Sequence, residues 1–431
     1  MSLRWPHEIV YQIFPERFAD GNPSLTVRNG ETTWLGHPVR HSKKWQDLTK
    51  RHADQYTFFG GDLPGIRGKL PYLKDLGVTA LYLNPIFAAK STHKYDTDDY
   101  FRIDPHFGSE EDFRGLLDDL HAAGIKLILD GVFNHTSFEH PWYREAKEAH
   151  YCLKADGSVR TWMDGGTLPK LDVDRPEVAE ALAEVVAYWK GVDAWRLDAS
   201  HLLSASFLRR LRGRFESVNP EGLIIGEEWE HAGSAIREGL YDGVTNFLFR
   251  KPLLAFFQGD LAVESLVRRL SLVPETYPWH GVVQSWNILD NHDTDRFWSA
   301  IDQRMERLKV AVGLLFTLPG TPLILYGDEV GMTGRSERET RAPMVWEPKR
   351  QNRALRDLYR HWIQLRKNHP VLATGSLTFL QASNQQGTFA FTRESEEERA
   401  LVLVNAGERA QIIEVAGVRR EVEIGVEVLF S

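Results

Sequence analysis

Apolar, β-prone runs alternate with helical patterns along most of the chain. Candidate strands lie at 8–14 (EIVYQIF), 78–85 (VTALYLNP), 125–130 (IKLILD), 192–198 (VDAWRLD), 223–227 (LIIGE), 243–247 (GVTNF), 282–289 (VVQSWNIL) and 321–327 (TPLILYG). Between them stand stretches with apolar residues at helical spacing, such as SEEDFRGLLDDLHAAG, VAEALAEVVAYWKG and FLRRLRGRFESVNPEG. Ser109 and Asp112 fit an Asp-containing capping box, and Gly124 fits a helix stop. Strands alternating with helices predict a parallel sheet, and eight repeats predict closure into an α/β fold, the (β/α)8 TIM barrel.

The rhythm breaks twice. Between Asp130 and Val192 there is more chain than a single helix needs, and residues 134–175 are polar, Gly-rich and irregular. They predict a small domain inserted after the third strand and lying over the barrel mouth. From 371 onward the runs are short and β-like (TFAFTR, ALVLVNAG, EVEIGVEVLF), which predicts a C-terminal all-β sandwich domain. The expected division is therefore 1–133 and 176–370 for the barrel, 134–175 for the insert and 371–431 for the appendage.

Four candidate strands end in charge: DGVFNH (130–135), AWRLDASH (194–201), GEEW (226–229) and LDNHD (289–293). Alternation puts Val192, Ala194, Arg196 and Asp198 on one face, with the cation favouring an ionised Asp198. Glu227 shares a face with Trp229, whose ring would desolvate the carboxyl and keep it protonated as a general acid requires. A barrel strand is buried on both faces, so the pattern leaves Glu227 and Glu228 as alternatives. His292 and Asp293 end a further strand. Each cluster alone reads equally well as a structural ion pair or a polar turn. Together they occupy the same end of their strands, where barrel active sites are built, and paired carboxylates suit glycosidic cleavage.

Those four segments resemble the signature regions of the α-amylase superfamily. YQIFPERFADG, FFGGDLPGIRGKLPYLKDLGVTALYLNPIF, KYDTDDYFRIDPHFG, LPKLD and GTPLILYGDEVGM are similar to its branch of cyclomaltodextrinase, neopullulanase, maltogenic amylase and maltodextrin glucosidase. The resemblance covers roughly 5–365. It implies a retaining hydrolase of α-1,4-glucosidic bonds in maltooligosaccharides. Asp198 falls on the nucleophile, Glu227 on the acid/base and Asp293 on the transition-state stabiliser. Tyr95 falls on the residue stacking under the cleaved glucose, with Asp96 beside it. Arg196, His135, His292, His201 and Arg296 fall on sugar or carboxylate contacts. No cofactor is required. The resemblance also points to a structural calcium ion at Asp20, Asn22, Gly60 and Asp62, although Leu25 and Thr26 replace further oxygen ligands. Two departures stand out. The branch usually carries an N-terminal β-domain that builds a dimer, whereas this sequence enters directly at the barrel. Glu228 stands where relatives carry an apolar or aromatic residue.

Bulk properties narrow the remaining choices. A net charge of -8 with no basic arm argues against nucleic acid, and no apolar run reaches membrane-spanning length. MSLRWPHEIVYQIF has no signal-peptide core, and Cys152 is the single cysteine, so a cytoplasmic enzyme is expected. The expected partner is a maltooligosaccharide alone, with a monomer favoured over the dimer. The alternatives are a transglycosylating or α-1,6-active relative and, remotely, a non-catalytic sugar-binding protein. All three acids are present, which argues against the last.

Overall fold

In the computed structural model, which describes residues 5–42, 45, 55–163 and 165–431, eight short parallel strands close into a barrel. In chain order they are Val10–Ile13, Ala80–Leu83, Lys126–Gly131, Ala194–Leu197, Leu223–Gly226, Gly243–Asn246, Trp286–Ile288 and Thr321–Leu325. Each pairs in register with its sequence neighbours, and the first closes on the eighth, Val10 opposite Leu323. The alternation of side chains separates two cores. Val10, Ala80, Tyr82, Ile128, Ala194, Leu223, Ile225, Trp286 and Ile288 fill the barrel. Tyr11, Ile13, Leu81, Leu83, Trp195 and Leu197 face outward onto the helices.

The capping box of Ser109 and Asp112 forms as predicted and opens the helix Glu110–Ala122, which Gly124 follows in the left-handed region at φ 72°. That helix buries Phe113, Leu116, Leu117 and Leu120, the i, i+3, i+4, i+7 face of its pattern. The seventh strand is shorter than the sequence suggests. The run 282–289 was expected to be wholly extended, but Trp279–Gln284 is helical and the strand begins at Trp286. Pro278 starts that helix, and Ser285 Oγ closes it on the Gly281 carbonyl at 2.6 Å. Burial on all sides lets Val282 and Val283 adopt either conformation.

The insert carries more order than its composition implies. It holds the helix Pro141–His150, and a ladder of isolated bridges (His135 with Lys170, Tyr151 with Leu171, Thr161 with Pro169) ties its ends together over the mouth. The C-terminal domain begins after the helix Val371–Thr374, slightly beyond the expected boundary at 371. A four-stranded antiparallel sheet and the hairpin Gln411–Val415/Val418–Val422 pack around Ala390, Leu401, Leu403, Ile413 and Val422. Arg393 fastens it to the barrel, donating to the Thr317 carbonyl at 2.6 Å and that of Leu372 at 2.7 Å. No helix among the described residues is long and apolar enough to cross a membrane.

Candidate active site

Moving along each inward face toward the strand ends, apolar side chains give way to polar ones. Val10 leads to Gln12, Ile128 to Asp130, Ala194 to Arg196 and Asp198, Ile225 to Glu227. Register places Arg196 beside Asp130 on the neighbouring strand. The polar layer forms the floor of a cleft of about 450 Å³, which Asp198, Glu227 and Asp293 line together.

Arg196 is the hub. Its Nη1 donates to both oxygens of Asp130 at 2.8 and 3.0 Å and to Asp198 Oδ1 at 3.0 Å. Its Nη2 reaches Glu227 Oε2 at 2.9 Å. The sequence reading had Arg196 holding Asp198 alone, but one guanidinium serves three carboxylates. Burial, opposed by Arg196 and reinforced by Glu227, Asp130 and Asp293, pushes Asp198 well above the ordinary carboxylate range.

Glu227, not Glu228, faces the cleft. It accepts hydrogen bonds from the Ala199 amide at 2.7 Å and from Trp229 Nε1 at 3.2 Å. Ala199 holds that amide in place from a left-handed conformation, φ 45° and ψ 38°, immediately after Asp198. The expectation that Trp229 forms an apolar wall beside Glu227 is thus corrected. Its indole stacks on Phe247, centroids 3.8 Å apart, and offers Glu227 its polar edge. Glu228 turns from the cleft toward Tyr241 and Ser200, and burial raises its carboxyl. His201, exposed on a 3-10 turn, lines the cleft.

Around Asp293 a chain of hydrogen bonds fixes the remaining predicted contacts. Gln12 Nε2 donates to His292 Nδ1 at 2.8 Å, which leaves Nε2–H for the Tyr95 hydroxyl at 2.5 Å. Tyr95 in turn donates to Asp130 Oδ2 at 2.8 Å. The Tyr95 and His292 rings lie parallel, 5° apart at 5.5 Å. Burial holds His292 well below its ordinary pKa, and His135 down to about 3, so both are neutral. His135 Nε2 lies 4.0 Å from Asp198 and has no partner of its own, so it is free to meet a sugar hydroxyl. The sequence reading missed Arg341, whose Nη2 donates to Asp293 Oδ1 at 2.8 Å and whose Nε donates to the His292 carbonyl at 2.9 Å. It also missed Gln12, although a lone polar residue in EIVYQIF was a usable signal.

Two predicted sugar contacts lie elsewhere. Arg296 is fully buried, bonded to the Tyr326 and Thr340 carbonyls at 2.6 and 2.9 Å and to Asp328 at 2.8 Å, and lines no part of the cleft. Asp96 is buried behind the cleft wall, accepting from Trp34 Nε1 at 2.7 Å and the Ser91 amide at 3.2 Å. Burial pushes its carboxyl up to about 6.

The calcium ligands do not fit an ion. Both Asp62 oxygens accept backbone N–H groups, those of Gly21 (2.9 Å), Gly65 (2.6 Å) and Asn22 (2.8 Å). Asn22 Oδ1 is taken by Ser24, whose hydroxyl lies at 2.7 Å. Converging N–H dipoles favour an anion there, and calcium needs six to eight oxygens. Among the described residues no three His, Cys, Asp or Glu side chains group as metal ligands.

The α-amylase catalytic-domain family matches residues 12–369. The chain is 38% identical to neopullulanase 2 of Thermoactinomyces vulgaris over 430 residues, covering 95% of this chain and 71% of that one. A cyclomaltodextrinase of Thermoanaerobacter pseudethanolicus is 35% identical, with 94% and 71% covered. Among solved structures, a cyclic α-maltosyl-(1→6)-maltose hydrolase from Arthrobacter globiformis superposes with a TM-score of 0.88 at 30% identity, each chain covered in full. With the strand-end acids in place, the chain belongs to the α-amylase family and is an α-glucan-active glycosidase.

Proposed function

We propose that the protein hydrolyses α-1,4-glucosidic bonds of maltooligosaccharides, maltodextrins and cyclodextrins with retention of configuration. The observation that carries this is the single guanidinium of Arg196 bridging Asp198 and Glu227 on a cleft that Asp293 also lines. Asp198 attacks the anomeric carbon as Glu227 protonates the leaving oxygen, and a covalent glycosyl-enzyme forms. Glu227 then takes a proton from water, which attacks the same carbon and frees Asp198. Neutral His135 and His292 contact hydroxyls of the reacting glucose, which rests on Tyr95, and Arg341 keeps Asp293 oriented.

A second reading, cleavage of α-1,6 bonds or transfer to a sugar acceptor, draws support from the (1→6)-linked substrate named for the structural relative. Trp229 and His201 on the leaving side would hold the acceptor. Incubation with maltotriose, β-cyclodextrin and pullulan, followed by chromatography of the products, tests both readings. Glucose and maltose from maltotriose, or panose from pullulan, support the first, while products longer than maltotriose, or maltotriose released from pullulan, support the second. No release from any of the three rejects both. A monomeric enzyme fits a cleft built from one chain, and light scattering on the eluted protein checks it. A cytoplasmic location, supported by the word intracellular in the name of a maltogenic amylase relative from Bacillus subtilis, is checked by fractionation.

A further inference from the structure

Between the paired strands Phe87–Ala89 and Thr97–Ile103 the chain turns at the edge of the cleft. His93 and Tyr95 line the cleft, and Lys94 between them does not. Lys94 carries two costly features at once. Its backbone is left-handed, at φ 60°, without being glycine. Its side chain is fully buried, and no other lysine among the described residues is. Such features persist where the surroundings over-determine them, and they gather at functional sites. The surroundings here are specific. The ammonium donates to the Ala89 carbonyl at 2.9 Å and pairs with Asp104 at 2.8 Å, with the rings of Phe58 and Phe107 at 5.1 and 5.3 Å. Asp104 is held in turn by the amides of Ala89 at 3.1 Å and His106 at 3.0 Å. Ala89 ends one flanking strand and Asp104 follows the other, so one side chain ties the turn to both. The Lys94 amide adds a bond to Ser91 Oγ at 2.9 Å. What this tether leaves in place is the half-buried Tyr95, whose hydroxyl meets Asn84 at 2.9 Å, Asp130 at 2.8 Å and His292 at 2.5 Å. Three partners at hydrogen-bond length leave that hydroxyl little tolerance for a shift of the turn.

We propose that Lys94 is a positioning residue for the reaction: its buried ammonium, held by Asp104 and the Ala89 carbonyl, fixes the left-handed turn that presents Tyr95 to the reacting glucose. This rests on the hydrolase reading above and deepens it. Lys94 touches no substrate and acts through Tyr95 alone, which separates the role from a merely structural ion pair.

A double-mutant cycle on maltotriose hydrolysis tests it, run at a temperature where circular dichroism shows every variant folded. Lys94→Met is expected to lower kcat at least tenfold in the wild-type background. In a Tyr95→Ala background, where the ring it positions is gone, the same substitution should cost less than twofold. Equal losses in the two backgrounds would reduce Lys94 to general stability and overturn the proposal, as would a kcat within twofold of wild type in Lys94→Met itself. Where Lys94→Met does not fold, Asp104→Asn takes its place. It keeps the lysine but removes the opposing charge, and it should show the same non-additivity at about threefold, with additive losses again counting against the role. If the wild-type enzyme does not cleave maltotriose, the hydrolase reading fails instead, and a crystal structure of the variant decides on positioning. A Tyr95 hydroxyl displaced from Asp130 and His292 supports the tether, and one left in place sinks it.

Discussion

Arg196 and Arg296 both stand on the carboxyl side of barrel strands, both are enclosed, and both face buried carboxylates. Their sequence settings, AWRLD and DTDRF, are equally charged. The two clusters differ in what completes them. Arg196 spends its contacts on Asp130, Asp198 and Glu227, and the last two open onto the cleft. Arg296 spends two of its contacts on main-chain carbonyls, and a third on Asp328. Burial and the neighbouring Asp290 push Asp328 well above the carboxylate range. The Arg296 cluster is closed and holds rim loops together. The Arg196 cluster keeps carboxylate oxygens facing open space. A buried guanidinium marks chemistry only when its carboxylates still face a ligand.

The sharpest way to break that distinction is to neutralise one acid in each cluster. Asp198→Asn should lower turnover of maltotriose by about four orders of magnitude or more, and Glu227→Gln by ~10²–10⁴. Circular dichroism should show both folded. Asp328→Asn, conservative in shape and outside the cleft, should leave kcat within about threefold. A tenth of wild-type rate in either of the first two variants would sink the assignment of roles.

Removing the cations tests the same contrast at smaller amplitude. Arg196→Met and Arg296→Met each strand buried carboxylates, and each should destabilise the protein by ~3–5 kcal/mol, read by denaturant titration. They should part on catalysis. Arg196→Met should lose a further ~10²-fold in kcat, because Asp198 and Glu227 lose their common partner, while Arg296→Met should track stability alone. Matching losses of kcat in the two would erase the comparison.

What the sequence made legible follows the period-two rule. Asp198 stood out because it sits in step with inward-facing small residues on a regular strand, whereas period two left Glu227 and Glu228 open and only the family resemblance chose Glu227. Arg341 was missed, since SERETRAP has no period and reaches Asp293 across a loop. Arg296 was misassigned because the resemblance gave a position without saying which way the side chain leaves it. The seventh strand was overextended because β-branched residues in a fully buried run do not choose between helix and strand. Pro278 held that information.

Asp96 offers a quieter test, through pH. Its carboxyl rises from 3.8 to about 6 in the folded protein, chiefly by burial. The native state thus binds the proton more tightly than the unfolded chain. Stability of the wild type, relative to Asp96→Asn, should fall as pH climbs from about 4 to about 6 and stay level above, by up to ~3 kcal/mol. Thermal unfolding of both proteins across that range measures it. A gap that instead closes with rising pH would mean that the donors around Asp96 outweigh its burial.

The smallest expected effect concerns Asp62, which carries the rule furthest from the cleft. Its two oxygens meet three backbone amides and cap the helix Leu63–Gly68. Such a carboxylate is complete without an ion, just as the Arg296 cluster is complete without a ligand. Chelation by EDTA should therefore leave the Tm unchanged, and added calcium should not raise it. Asp62→Ala should still cost about 1–2 kcal/mol, as loss of a helix cap does. A drop of several degrees on chelation, absent in Asp62→Ala, would show that an ion draws on this carboxylate despite the amides. Satisfied hydrogen bonding would then no longer separate the structural acids of this barrel from the working ones.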